Sequence, residues 1–198
     1  MLQWRPVRLE AFQTRIDDIY IQYSLDQMLE CCEGTISTRI DGIIPGSRLK
    51  IVLQGPQGNL VQESLSDSGS NGLVIVPFTI QDPCLWNPHG YGGQHQYSVH
   101  VNLYIGEVLA QVETKRFGIR KAEVIEEDDD FGKSFYFRIN GIDIFAGGSC
   151  WIPADMFPPK ISTNDYREWL TMMVQGNQIM IRYALQPLLL TAQFHVPH

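Results

Sequence analysis

The sequence predicts an all-β immunoglobulin-like sandwich followed by an incomplete (β/α)8 barrel segment, on three observations. Between about Trp4 and Gly118, short β-like runs alternate with turn signals, seven of them in little more than a hundred residues. From Ile119 onward the pattern changes to strand, loop, helix, strand, which is one βαβ unit. The 198-residue chain then runs out after the second strand of that unit, whereas a complete barrel of this type takes about 250 residues.

The elements follow in order. Residues 7–10 and 15–25 begin the sandwich, and 34–40 alternate isoleucine with polar positions. A run at 48–53 follows Pro45-Gly46, and one at 73–80 follows the Gly/Ser/Asn-rich turn at 66–72. Runs at 96–104 and 108–117 flank a tight turn at Ile105-Gly106. No helical period competes with these strands.

Two further strands, 119–125 and 134–140, lead into the βαβ unit. In the second of them Phe135, Phe137 and Ile139 alternate with polar residues, and Asn140-Gly141 supplies the positive φ angles of a two-residue hairpin turn. A short strand at 142–145 comes next, and Gly147-Gly148 lets the backbone pass close to a neighbour. Ser162 or Thr163 caps a helix, with Asp165 in its first turn where a negative charge suits the helix dipole. Tyr166, Trp169, Leu170 and Met173 recur at helical spacing and are expected to pack on the wall of the barrel, with Met172 and Met173 as core filler. The apolar run Ile179-Met180-Ile181 is the closing strand.

Composition excludes several function classes. With 44% hydrophobic and 19% charged residues the chain is an ordinary globular one. A net charge of −7, with its 15 Lys and Arg scattered, argues against nucleic acid. No apolar run approaches the length of a membrane span, and Met1–Pro6 has no apolar signal core. Cys31 and Cys32 are adjacent, while Cys84 and Cys150 fall in different predicted domains; without CxxC or metal-ligand spacing, reduced thiols in a cytoplasmic protein are the simplest expectation. The absence of an Asn-x-Ser/Thr sequon agrees. His95 and His100 lie five apart on a strand and face opposite sides, so no metal site is expected there, and no cofactor is implied. The five carboxylates from Glu126 to Asp130 lack the intervening residues of a cation loop and are read as a solvated loop between two strands. Trp86, in Leu85-Trp86-Asn87-Pro88, is read as a packed aromatic plugging one end of the sandwich or its contact with the barrel, rather than as a sugar-stacking ring.

Five stretches carry a resemblance. FYFRINGIDIFAGGSCWIPAD (135–155), GNQIMIR (176–182), Trp4-Arg5-Pro6-Val7-Arg8-Leu9-Glu10, Leu85 to Gly92 and Phe117 to Glu123 resemble, in the same order, family 2 glycoside hydrolases, and within them β-mannosidases of the fungal intracellular B type. The similarity runs from Trp4 to Arg182. It implies domains at 1–118 (sandwich) and 119–182 (start of the catalytic barrel), with 183–198 an aberrant tail. It also implies that the N-terminal segment follows a long sugar-binding domain in the complete enzyme. The family continues from the second barrel strand with Val-Trp and a glycine run, where this chain has Tyr183-Ala184-Leu185. One codon choice for Arg182-Tyr183-Ala184 contains a plausible intron start, so the tail is expected to be translated intron or frameshift, which transcript sequencing tests.

The function implied is release of terminal non-reducing β-D-mannose by double displacement, with β-mannoside oligosaccharides as partners. Retaining glycosidases use two carboxyl groups about 5–5.5 Å apart. In the resembling enzymes these are glutamates on later barrel strands, the acid/base following an asparagine. This chain contains no Asn-Glu pair, so no catalytic residue is assigned and hydrolytic activity is not expected of it alone. Of the carboxylates Glu123, Asp143 and Asp155, only Asp155 falls at the expected mouth. By resemblance Trp151 and Asp155 line or support the sugar subsite, through ring stacking and hydroxyl hydrogen bonds; for Trp151 the competing reading is a seal between barrel and sandwich. The family usually carries Asn or Asp before this tryptophan, where Cys150 stands here, and a thiol is a poor hydrogen-bond partner. The alternatives are a non-catalytic carbohydrate-binding or interaction module built on the sandwich, and a sibling family 2 activity such as β-galactosidase or β-glucuronidase. The oligomeric state is left open.

Overall fold

The structure is a computed structural model and describes residues 9–69, 71–152, 154–155 and 160–183. Seven strands form its first part: β1 (Arg15–Leu25), β2 (Cys31–Asp41), β3 (Ser47–Gln54), β4 (Leu60–Asp67), β5 (Leu73–Gln81), β6 (Tyr97–Ile105) and β7 (Val108–Phe117). They make two antiparallel sheets, one ordered β1-β2-β5 and the other β4-β3-β6-β7.

Alternation in sequence becomes alternation in burial. In β3, Leu49, Ile51 and Leu53 point inward, in β6 Tyr97, Val99, Val101 and Leu103, and in β5 Val74, Val76, Phe78 and Ile80. These side chains and Ile16, Ile19, Cys32, Ile36 and Ile40 form one core, so the two sheets are the layers of a sandwich. Phe117, at the end of β7, sets its ring 5.7–6.2 Å from those of Tyr23, Phe78 and Tyr97. Ile119 is fully buried in the same core, so the chain leaves the sandwich anchored.

Several expectations need correction. The strand β4 has no counterpart in the seven runs read from sequence, and Ser66 and Asp67, read as turn, belong to it. β4 is a sheet edge whose residues are all exposed or half-buried, so it carries almost no core-facing signal. Of the run at 7–10, residues 7 and 8 lie outside the described residues, and Leu9 and Glu10 are not in a strand. The Trp4–Glu10 motif is thus largely outside the description, as is the tail from residue 184 on.

After the sandwich, β8 (Ala122–Asp129), β9 (Gly132–Ile139) and β10 (Ile142–Ile144) form an antiparallel meander. Asn140 and Gly141 make the β9–β10 turn with φ of 51° and 78°, the positive pair that such a turn requires. The carboxylate run is not a loop: Glu126, Glu127, Asp128 and Asp129 pair with β9, and only Asp130 and Phe131 turn. A solvated edge strand tolerates like charges because alternate side chains diverge to opposite faces.

β11 (Gly148–Trp151), α1 (Thr163–Gln175) and β12 (Met180–Tyr183) complete the described chain, and β11 and β12 are parallel neighbours. A side chain at Gly148 would collide with the Met180 carbonyl oxygen, which accounts for the glycine. The helix starts on a reciprocal capping box. Ser162 Oγ accepts from Asp165 N (3.2 Å), and the Asp165 carboxylate accepts from Ser162 N (2.7 Å). Tyr166, Trp169, Leu170 and Met173 share the half-buried face, but Met172, expected in the core, is 58% exposed because it sits about 100° around the helix from Met173.

The hydrogen bonds from Ser162 hold the Asp165 carboxyl below its ordinary value. A lowered folded-state value means stability present above the ordinary carboxylate range and lost as pH falls through the lowered one. Ser162→Ala is expected to cost about 1 kcal/mol and to flatten this acid-side loss of α1, read by circular dichroism across an acid titration.

Candidate functional site

Parallel pairing of β11 and β12 brings two strand ends together, with Trp151 opposite Tyr183 at the C-terminal end of the pair. Asp155 follows four residues later and is half-buried, within a bend. The Trp151 ring is stacked on Tyr166 (5.9 Å, 26°) and tilted against Trp169 (5.6 Å), while those two meet edge to face at 5.8 Å. Two helix rings therefore pack on the Trp151 indole, and they fix it to α1. Cys150, on the opposite face of β11, is exposed. Ser149 Oγ donates to Gln178 Oε1 at 2.7 Å, a side-chain link between β11 and the chain just before β12.

The other two carboxylates singled out lie away from this end, on the meander. Glu123 pairs with Lys121 at 3.1 Å. Asp143 receives both Nε (2.5 Å) and Nη2 (3.2 Å) of Arg138, and this guanidinium holds its carboxyl below the usual range. A carboxylate kept ionised in this way does not act as a general acid near neutrality. Arg138 Nη2 also donates to Tyr136 Oη at 3.1 Å, so the cluster is an interlocked surface network.

Trp86 sits beside the connection from sandwich to meander, with its ring against Gly118 and Arg120. Its backbone N–H donates to the Ile119 carbonyl (2.8 Å), Gly118 leaves no room for a side chain against its ring, and the Arg120 guanidinium sits 4.8 Å from the ring centre. His100 on β6 is held by Thr114 Oγ1 (2.9 Å) and Gln54 Oε1 (3.0 Å). All four cysteines are unpaired, and burial pushes the Cys32 thiol up to about 11. Among the described residues no helix is long and apolar enough to cross a membrane.

The sequence profile of the glycosyl hydrolases family 2 matches residues 14–120, more than half of the 198 residues. The chain belongs to this family.

Among its relatives, Beta-mannosidase B of Aspergillus niger is 43% identical over 183 residues, which covers 90% of this chain. The family 2 chain spans only 21% of that relative's length. The crystal structure of a β-D-mannosidase from Dictyoglomus thermophilum superposes with a TM-score of 0.73 at 30% identity, over 85% of this chain and 21% of that one. A β-glucuronidase from Parabacteroides merdae gives a TM-score of 0.75 over 88% of this chain and 21% of its own, at 15% identity, and so shares the fold alone.

Two features of this family 2 chain escaped sequence reasoning. The aromatic trio of Trp151, Tyr166 and Trp169 joins a strand to a helix, and only the Tyr166/Trp169 spacing was visible in sequence. Asn140 reads as a turn residue, yet its amide reaches Trp86 and Asn87, more than fifty positions away.

Proposed function

We propose that this chain is the immunoglobulin-like sandwich (1–118) and the start of the (β/α)8 catalytic barrel (119–182) of a retaining β-mannosidase. Such an enzyme releases terminal non-reducing β-D-mannose from β-mannoside oligosaccharides. The 43% identity to Beta-mannosidase B over nine-tenths of the chain carries the reading. The geometry supports it: β11 and β12 are parallel neighbours joined through α1, as successive barrel strands are, and Trp151 and Asp155 follow the end where barrels carry their sites. In this reading Asp155 accepts hydrogen bonds from sugar hydroxyls, and Trp151, steadied by Tyr166 and Trp169, lines the same mouth. A cytoplasmic location goes with the four unpaired thiols.

Chemistry then needs carboxylates that this chain lacks. It has no Asn-Glu pair, and Glu123 and Asp143 on the meander are engaged by Lys121 and Arg138. The 198-residue chain is therefore expected to leave a chromogenic β-mannoside intact, while a version extended through the genomic locus hydrolyses it. Hydrolysis by the short chain would overturn the assignment. Mannan binding without hydrolysis by either version would favour the non-catalytic module instead.

A further inference from the structure

The meander β8-β9-β10 has too little core of its own to explain its order. Among the described residues of these strands Ile144 alone is a buried hydrophobic, while Val124, Phe135 and Ile142 are 54%, 64% and 45% exposed. Small sheets with so little buried surface are marginal in water. What does hold this one is a concentrated set of polar contacts at its root.

Asn140 uses its whole amide there. Its Oδ1 accepts from Lys121 N (2.9 Å), and its Nδ2 donates to the Trp86 carbonyl (3.0 Å) and to Asn87 Oδ1 (2.8 Å). Its own N–H donates to the Lys121 carbonyl at 2.9 Å, and its φ of 51° is one that few side chains other than asparagine accept. The receiving loop is built for this: Asn87 N donates to the Gly93 carbonyl (2.9 Å), and Trp86 is tied to Ile119. On the other side of the connection Tyr23 Oη donates to the Gly118 carbonyl (2.8 Å) and accepts from Arg120 N (3.1 Å). The connection 118–121 is thus gripped by the sandwich on one flank and by the β9–β10 turn on the other.

We propose that Asn140, with Asn87 and Trp86, is a latch that makes the meander and the sandwich a single cooperative unit, so that the meander opens only when the sandwich does. The latch fixes the direction in which the chain leaves β10 toward β11. It works in the 198-residue chain whatever that chain's catalytic role.

Native-state hydrogen exchange on the 198-residue chain tests this. In the unaltered protein the slowest amides of β8 and β9 should exchange in step with those of β3 and β6. Asn140→Gly keeps the positive φ and removes the side-chain bonds; β8 and β9 amides should then exchange about tenfold faster or more, consistent with the loss of several hydrogen bonds, while β3 and β6 hold. Asn87→Ala, which removes one of the Asn140 side-chain bonds and the longer bond from Asn87 Nδ2 to the Leu85 carbonyl (3.4 Å), should move the same ratio in the same direction by a smaller factor, and decides the matter if Asn140→Gly does not fold. Independent fast exchange of the meander in the unaltered protein, or a ratio that neither variant moves, overturns the latch.

Discussion

Leu103→Ala is expected to lower the unfolding free energy by about 3–4 kcal/mol, within the range for a leucine emptied from a well-packed core. Leu103 is fully buried in β6, which pairs with β3 on one side and β7 on the other, so backbone on both flanks prevents collapse into the cavity. The same change at Leu60, the first residue of the edge strand β4 and 60% exposed, should cost no more than about 0.5 kcal/mol. Urea melts of the two variants read the difference as a shift in midpoint at constant slope. Equal shifts would mean that the two sheets do not share the core described.

Gly148→Val is expected to separate β11 from β12. Even a methyl at this position collides with the Met180 carbonyl oxygen and closes on the Met180 Cα and carbonyl carbon, which are backbone and cannot swing aside. Ordinary overpacking costs about 1–3 kcal/mol when side chains can adjust; here the strand pair itself has to part. The bonds from Ile179 N and Met180 N to the Gly147 carbonyl (2.9 and 3.3 Å) would go with it. Exchange protection at Ile179 and at β12 should vanish while the sandwich melts unchanged, and retained protection at those amides would refute the pairing. Trp151 fluorescence should shift as well, because Tyr166 and Trp169 lose their shared support.

Legibility in the sequence followed how local the cause was. The capping box from Ser162 to Asp165 spans four residues and the Asn140-Gly141 turn two, so a cap at Ser162 or Thr163 and the turn were readable locally. Strands β3, β5 and β6 were readable because one face of each is buried, which imposes strict alternation. β4 was not, since its half-buried positions at 62, 64 and 66 carry Gln62, Ser64 and Ser66 while Leu65 is exposed, so its burial period is not written in apolar residues. The carboxylates of β8 misled for the same reason, as charge excludes burial without excluding a strand. At the candidate site, resemblance alone singled out Trp151 and Asp155, and the rings that grip Trp151 come from a helix whose docking no local rule encodes. The link from Asn140 to Asn87 spans 53 residues and leaves no trace in either local pattern.

The acidic run also bears on how this chain behaves in company. Among the described residues β8 is an outer strand, paired on one side only, beside exposed Val124 and Phe135. Such an edge is a template on which further molecules add, strand upon strand, toward insoluble fibres. Glu126, Glu127 and Asp128 stand along it, all of them exposed. A second copy approaching edge to edge would have to bring its own row of carboxylates against this one, in a protein that already carries a charge of −7. Like charges so arranged repel as a ladder forms, so the residues that look least structural in this chain are those that oppose pairing along this edge.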